Sequence, residues 1–265
     1  MSRSYTGAMP QPLPGIASRI AAVRARVDDA ARAAGRDPRE VRVLLATKTQ
    51  DAATVLEAVA AAAEAGLTGA GPVLVGENRV QELVAKAPAL APLVAAGAVE
   101  VHLIGHLQSN KVNPALATAS CVESLDSLAL AAALSTRCAR DGRVLDVMVQ
   151  VNVSDEASKS GVAPADAAGL AREVAALPGL RLVGFMTIGA RPSPAGAPVG
   201  ARSGDAVVRA GYARLRAIRD EVLAGGAPGT GEARELSMGM TLDLEAAVAE
   251  GATLVRVGTG AFGPR

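Results

Sequence analysis

Eight apolar runs of strand length alternate with helical segments along this sequence of 265 residues, and no other feature restricts its fold as much. The runs cover residues 41–47, 72–75, 99–104, 120–123, 145–151, 180–187, 235–238 and 253–257. Several are apolar at successive positions, which is typical of parallel strands covered on both faces. Eight strand–helix units in a chain of this length predict an α/β protein with a (β/α)8 TIM barrel, in which the fourth and seventh strands are the weakest.

The barrel is predicted to fill residues 16–265 as a single domain, because barrels of about 200 to 250 residues commonly form one domain. Residues 1–15 contain three prolines and no periodic pattern, so we expect a flexible N-terminal tail. Ile20, Val23 and Val27 then recur at helical spacing, which predicts an extra N-terminal helix. Residues 190–206 are rich in Pro, Gly, Ser and Ala and predict a mobile loop.

The charge balance argues against two classes of partner. The chain has 27 Lys and Arg against 26 Asp and Glu, which disfavours nucleic acid and anionic membrane surfaces. No charge-free apolar run reaches the roughly 20 residues of a membrane-spanning helix, and no signal-peptide core is evident. The two cysteines, Cys121 and Cys138, fit neither a CxxC pair nor a disulfide framework, so we expect a protein of the reducing cytoplasm.

One lysine stands where barrels carry their chemistry. The chain has only four lysines, and Lys48 directly follows the first apolar run, at the C-terminal end of the first predicted strand. Aliphatic neighbours would desolvate its ammonium group and lower its pKa, as the nucleophile of a Schiff base requires. The alternative is a solvated lysine on the barrel rim, and the local sequence does not decide between the two.

Small residues follow the seventh and eighth predicted strands, whose loops often bind phosphate in barrels. Ser237 lies near the end of one run, and Gly258 and Thr259 follow the other, so hydroxyl groups and backbone amides are available to an anion. Glycine-containing turns also end strands for purely structural reasons. These residues are therefore compatible both with a phosphate site and with a purely structural turn.

Arg256 is predicted to lie inside the barrel. It alternates with two core-like valines and so points to the opposite face of the last strand. A buried guanidinium group needs a partner. We expect either an ion pair with Glu235 or Asp243, or a hydrogen bond to a ring nitrogen or phosphate of a ligand.

A series of motifs runs through the chain in order. They are LATKT from Leu45, GENRVQE from Gly76, HLIGHLQSNK from His102, QVNV from Gln150, KSG from Lys159, LSMGM from Leu236 and VRVGT from Val255. Together they resemble the motifs of the pyridoxal phosphate homeostasis proteins, a family of small barrels similar to the N-terminal domain of alanine racemase. The resemblance covers residues 16–265 and is most specific in GHLQSNK and LSMGM.

The resemblance implies a fold-type III barrel that binds pyridoxal 5′-phosphate (PLP) at its mouth. It assigns six cofactor-binding residues: Lys48 for a Schiff base, Ser237, Gly258 and Thr259 for the phosphate group, Arg256 for the pyridine nitrogen, and Asn78 beside the ring. It implies a PLP carrier without robust turnover, so no catalytic residue is assigned. The expected partners are PLP and, transiently, apo-enzymes that need it. We expect a monomer, because the chain lacks the second domain through which racemases of this superfamily dimerise.

Two enzymatic functions remain as alternatives. One is a PLP-dependent amino-acid racemase or a related enzyme, with His106 or an unassigned group supplying a proton on the second face. Arg256 argues against it, because a permanent positive charge opposite the pyridine nitrogen weakens the ring as an electron sink. The other is a PLP-independent lyase in which Lys48 attacks a sugar-phosphate carbonyl directly.

Two histidines and two lysines complete the candidates. His102 and His106 are four residues apart across a strand and a loop and have no neighbouring ligand set, so we expect no metal site. We expect His102 at the barrel rim and His106 near the cofactor. Lys111 and Lys159 follow the third and fifth strands, either as solvated rim residues or as a second, weaker PLP site.

Overall fold

The fold is a closed barrel of parallel strands surrounded by helices. A computed structural model describes residues 15–69, 71–154, 160–189 and 202–264. Its strands are β1 (Arg42–Ala46), β2 (Val73–Glu77), β3 (Val99–Leu103), β4 (Cys121–Leu125), β5 (Leu145–Gln150), β6 (Leu180–Met186), β7 (Glu235–Ser237) and β8 (Leu254–Val257). They pair in sequence order, and β8 pairs with β1. The predicted (β/α)8 TIM barrel is confirmed, and it includes β4 and β7, the two strands that the sequence predicted least strongly.

Helices cover the outside of the strands. They are α1 (Ile16–Ala33), α2 (Ala52–Glu64), α3 (Val80–Ala95), α4 (Val112–Leu116), α5 (Leu128–Arg140), α6 (Pro164–Ala175), α7 (Arg202–Gly225), α8 (Leu244–Ala249) and α9 (Thr259–Phe262). As predicted, α1 is an extra N-terminal helix, and it buries Ile20, Val23 and Val27 against the barrel. Among the described helices, none combines the length and the apolar character needed to cross a membrane.

Strand ends differ from the predicted apolar runs by up to two residues, and one helix begins inside the predicted loop. For example, β2 continues to Glu77, because Gly76 and Glu77 pair with His102 and Leu103 of β3. Position 76 requires glycine, since a Cβ atom there would lie 2.3 Å from the Leu44 side chain. Helix α7 begins at Arg202, so residues 202–206 of the predicted loop are helical. Residues 190–201 of that loop and residues 1–14 of the predicted tail lie outside the described residues.

The buried core has two parts. The larger part lies between the strands and the helices. The smaller part fills the barrel interior, where alternate strand residues point inward; it comprises Leu44, Ala46, Leu74, Ile104, Cys121, Met148, Met186 and Leu254. Polar side chains share this interior, namely His102, Glu123, Ser237 and Arg256, each at most 5% exposed. The barrel interior is therefore partly a polar network beneath the mouth.

Close packing at Gly105 predicts a measurable loss of stability. A Cβ atom there would lie 2.0 Å from the Asn78 carbonyl oxygen, so the backbone after β2 would have to move. We expect Gly105→Ala to reduce the free energy of unfolding by about 1 to 3 kcal/mol. Gly169→Ala is the matched control, because Gly169 is exposed within α6 and its Cβ would meet nothing within 4 Å. Urea unfolding should show the control stabilised by about 0.5 to 1 kcal/mol; equal effects would contradict the prediction.

Candidate functional site

A cavity of about 290 Å³ opens at the C-terminal ends of the strands. Polar groups reach it from the loops after β1, β2, β7 and β8 and from the end of β8; they include Lys48, Asn78, Thr241, Arg256, Gly258 and Thr259. Apolar side chains complete the lining, among them Ile104, Ile188, Met240 and Phe262. The structure thus brings five of the six predicted site residues into one cavity, all except Ser237.

Lys48 occupies a short turn directly after β1. Its side chain is half-buried, while Thr47 before it is fully buried. The Thr47 amide donates to the Gly76 carbonyl, which continues the β1–β2 ladder to the edge of the cavity. Lys48 is therefore attached to the rigid end of a strand and lines the cavity.

The loops after β7 and β8 are joined through one threonine that the sequence analysis did not single out. The Thr241 hydroxyl oxygen accepts a hydrogen bond from the Gly260 amide at 3.2 Å and from the Thr259 hydroxyl at 3.4 Å. Glycine at position 260 allows this close approach, because a Cβ atom there would lie 2.9 Å from the Val257 side chain and 3.1 Å from the Thr241 methyl group. Thr259 is exposed and Gly258 is half-buried, so both remain accessible at the cavity wall.

Arg256 lies at the base of the cavity, but its partners differ from both predicted ion pairs. Its guanidinium group donates to the Ser237 hydroxyl oxygen at 2.6 Å and to the Thr187 carbonyl oxygen at 2.7 Å. Glu235 instead pairs with Arg42 at 2.9 Å. Asp243 accepts a hydrogen bond from the Tyr212 hydroxyl at 2.7 Å. Which side chains meet depends on how far neighbouring strands are shifted along each other. The spacing of residues within one strand does not reveal this shift.

Ser237 belongs to the barrel interior and not to the cavity wall. Its side chain is fully buried, and its hydroxyl donates to Glu123 Oε2 at 2.5 Å while it accepts from Arg256. Glu123 Oε1 lies 2.7 Å from His102 Nδ1. A continuous network therefore runs from Arg256 through Ser237 and Glu123 to His102, and the phosphate role predicted for the Ser237 hydroxyl has no support from this geometry.

Contacts within this network favour the ionised form of Glu123 and the protonated form of His102. Burial disfavours ionised Glu123, yet the hydrogen bond and charge of His102, together with the charge of Arg256, lower the pKa of this carboxyl group. Burial likewise disfavours protonated His102, but its contacts with Cys121, Glu100 and Glu123 raise its pKa well above 6.5. An ionised Glu123 thus supplies a negative counterpart to Arg256. The sequence feature that could have indicated this network is Glu123, a glutamate within an apolar run of strand length.

Three of the remaining candidates, His102, His106 and Lys111, are not cavity-lining residues. His102 is buried inside the barrel, not at the rim as predicted, and His106 is half-exposed, with Nδ1 3.4 Å from Asp126 Oδ2. Lys159 lies outside the described residues. Across the described ranges, no group of three or more His, Cys, Asp or Glu residues is arranged to hold a metal ion.

The fold and this cavity together define an alanine racemase-like barrel. The family model for the alanine racemase N-terminal domain matches residues 19–265. The chain is 44% identical over 250 residues to the pyridoxal phosphate homeostasis protein of Pseudomonas aeruginosa, covering 94% of this chain and 96% of that protein. It is 37% identical over 250 residues to the Escherichia coli protein of the same name, covering 94% and 97%. The chain belongs to the pyridoxal phosphate homeostasis protein family.

Solved structures agree with this assignment. A protein of unknown function from Bifidobacterium adolescentis is 41% identical and superposes with a TM-score of 0.82, covering 93% of this chain and 94% of that chain. PipY from Synechococcus elongatus, solved with PLP bound, is 33% identical with a TM-score of 0.71, covering 94% and 100%. An alanine racemase from Clostridium difficile shares the fold at a TM-score of 0.65 but is only 11% identical.

Proposed function

We propose that this chain binds PLP at the barrel mouth, holds it covalently on Lys48 and releases it to apo-enzymes. The observation that carries the proposal is that Lys48, Arg256, Gly258 and Thr259 line the same cavity. The donor set fits the cofactor, because PLP presents an aldehyde, a ring nitrogen and a phosphate group. The presence of PLP in the PipY structure supports the same assignment.

Each lining residue has a role that its position supports. When bound, PLP would supply an aldehyde for covalent attachment, and Lys48 would offer its amine to that aldehyde. Gly258 and Thr259, together with the Thr241 hydroxyl, provide polar groups for the phosphate. Arg256 would offer guanidinium N–H groups to the ring nitrogen, and Asn78, which lies in the cavity wall, would stand beside the ring. Ser237 fixes the orientation of Arg256 from below.

Three features support a carrier over an enzyme that turns over amino acids. Arg256 presents a guanidinium group to the cavity, and this positive charge disfavours a protonated pyridine nitrogen and thus an electron sink. Tyr212, the one tyrosine in the described ranges, is fully buried and donates to Asp243, and burial raises its pKa far above the usual value. His106 is outside the cavity lining. The proposal includes a monomeric carrier in the cytoplasm.

The test is to saturate the purified chain with PLP, reduce it with borohydride and map the modified peptide by mass spectrometry. We expect one PLP-derived adduct, on the peptide that contains Lys48. Incubation of the loaded protein with L- and D-amino acids is expected to give no racemisation or decarboxylation above that of free PLP. Modification of another lysine would contradict the site, and sustained turnover would contradict the carrier role.

A further inference from the structure

The turn that carries Lys48 has an unfavourable backbone conformation immediately after the lysine. Thr49 has φ +70°, and it is the only non-glycine residue with positive φ in the described ranges. This left-handed conformation is disfavoured for L-residues and especially for β-branched ones. Such a conformation persists only when surrounding contacts hold it.

The first of these contacts comes from the beginning of α3. Glu82 Oε2 accepts a hydrogen bond from the Thr49 amide at 3.1 Å. Glu82 lies in the first turn of α3 and is half-buried. A carboxylate that accepts from a backbone N–H forms a charge-assisted bond, which is stronger than a neutral one. Glu82 therefore fixes the residue on the C-terminal side of Lys48.

The second contact comes from the next turn of the same helix. Lys86 Nζ donates to the Thr47 carbonyl oxygen at 2.8 Å and to Glu77 Oε1 at 2.7 Å. The Thr47 hydroxyl donates to the same carboxylate oxygen at 2.5 Å. These side chains are buried, with Lys86 6% exposed and Glu77 and Thr47 fully buried. Lys86 therefore fixes the residue on the N-terminal side of Lys48.

The buried ion pair is weak evidence for a role in stability alone. Removing two charges from water is unfavourable, and apolar residues of similar volume often serve stability equally well. Glu77 Oε2 has no hydrogen-bond partner among the described atoms, and burial raises the pKa of this carboxyl group. What Lys86 provides in addition is a donor for the Thr47 carbonyl, which an apolar residue lacks.

We propose that Glu82 and Lys86 are positioning residues, which hold the Thr47–Thr49 turn from both sides and thereby direct the Lys48 amine into the cavity. This inference rests on the proposed PLP site but concerns residues outside the cavity lining. Its distinctive consequence is that the requirement for Glu82 arises from the backbone conformation of Thr49. A glycine at position 49 adopts positive φ without steric cost and should remove that requirement.

The test compares Glu82→Ala with the double variant Glu82→Ala/Thr49→Gly. The rate at which borohydride traps PLP on Lys48, at subsaturating PLP, should fall about 10-fold in the single variant, as the loss of one charge-assisted hydrogen bond implies. The double variant should recover to within about 3-fold of wild type. Glu57→Ala, an exposed glutamate on α2, is the control and should leave the rate unchanged. An unchanged rate in Glu82→Ala, or no recovery in the double variant, would overturn the inference.

A cofactor-free measurement separates this inference from the proposed function. In the apo-protein, hydrogen exchange of the Thr49 amide should accelerate about 10-fold in Glu82→Ala and not in Glu57→Ala. If wild type forms no Lys48 adduct, the proposed function fails, while the exchange result still decides whether Glu82 holds the turn. Equal Thr49 exchange in all three proteins would overturn the inference.

Two variants separate the contribution of Lys86 to stability from its contribution to the position of Lys48. Lys86→Met leaves the buried Glu77 carboxylate without its cationic partner and should lower both stability and the trapping rate. Lys86→Met/Glu77→Leu removes the pair entirely, so stability should return while the trapping rate stays about 10-fold below wild type. Recovery of the rate together with stability would show that the pair acts only in packing and would overturn the role of Lys86.

Discussion

Lys48→Ala is expected to eliminate the borohydride-stable PLP adduct, with a decrease of at least about 100-fold in modified protein. The reason is chemical, because alanine has no amine to condense with the aldehyde. The fold should be retained, since Lys48 is half-buried in a turn and such substitutions usually change the free energy of unfolding by less than about 1 kcal/mol. Peptide mass spectrometry after reduction, with urea unfolding alongside, measures both effects.

The control for this prediction is Lys111→Ala. Lys111 follows β3 and is not a cavity-lining residue, so its removal should leave the adduct at the wild-type level. Lys86 is no substitute nucleophile, because its ammonium group is buried against Glu77. An undiminished adduct in Lys48→Ala would refute the assignment of the covalent site.

Glu123→Leu is expected to reduce the free energy of unfolding by about 3 to 5 kcal/mol, the range for breaking a buried ion pair by removing one partner. The leucine leaves Arg256 without its negative counterpart and His102 and Ser237 without their acceptor. Urea unfolding at neutral pH measures the loss. Glu100→Gln is the matched control, because Glu100 is 45% exposed and 3.7 Å from His102, so its effect should stay below about 1 kcal/mol. Similar losses in the two variants would contradict the prediction.

The same network gives the stability a defined pH dependence. The pKa of Glu123 is lowered in the folded state, so its contribution is present above the ordinary value of 4.5 and is lost as the pH falls through the folded pKa. The pKa of His102 is raised, so its contribution is complete below 6.5 and is lost as the pH rises through the folded pKa. The stability difference between wild type and Glu123→Gln should therefore be largest between about pH 5 and 6.5. A difference constant from pH 3 to 9 would be incompatible with this network.

The sequence allowed the barrel and most of the cavity to be predicted because both follow local rules. Alternating apolar runs identify strands, and the βα loops of a barrel all open at one end, so Lys48, Gly258 and Thr259 were expected together. Asn78 was added by the family resemblance alone. The position of Ser237 was not predictable in this way. Whether the last residue of a strand points into the cavity or beneath it depends on the stagger between neighbouring strands.

Contacts that cross the barrel were also beyond sequence reasoning. Ser237 and Glu123 are 114 residues apart, and no spacing rule connects them. The start of α7 was also missed by the prediction, because Ser203 and Gly204 have the composition of a loop. The helix is amphipathic, and its buried side includes Val208, Tyr212 and Leu215. The packing of its later turns thus stabilises this helix, whatever the composition of its first residues.

The cavity spans the seam at which the two ends of the barrel meet. Lys48 follows β1, Gly258 and Thr259 follow β8, and these two strands are hydrogen-bonded neighbours. During synthesis on the ribosome, Lys48 emerges some two hundred residues before Gly258 and Thr259. A nascent or truncated chain that ends before β8 has the amine but no opposite wall. With the proposed site, stable capture of PLP requires that β8 has closed the barrel, so a bound cofactor reports that folding is complete.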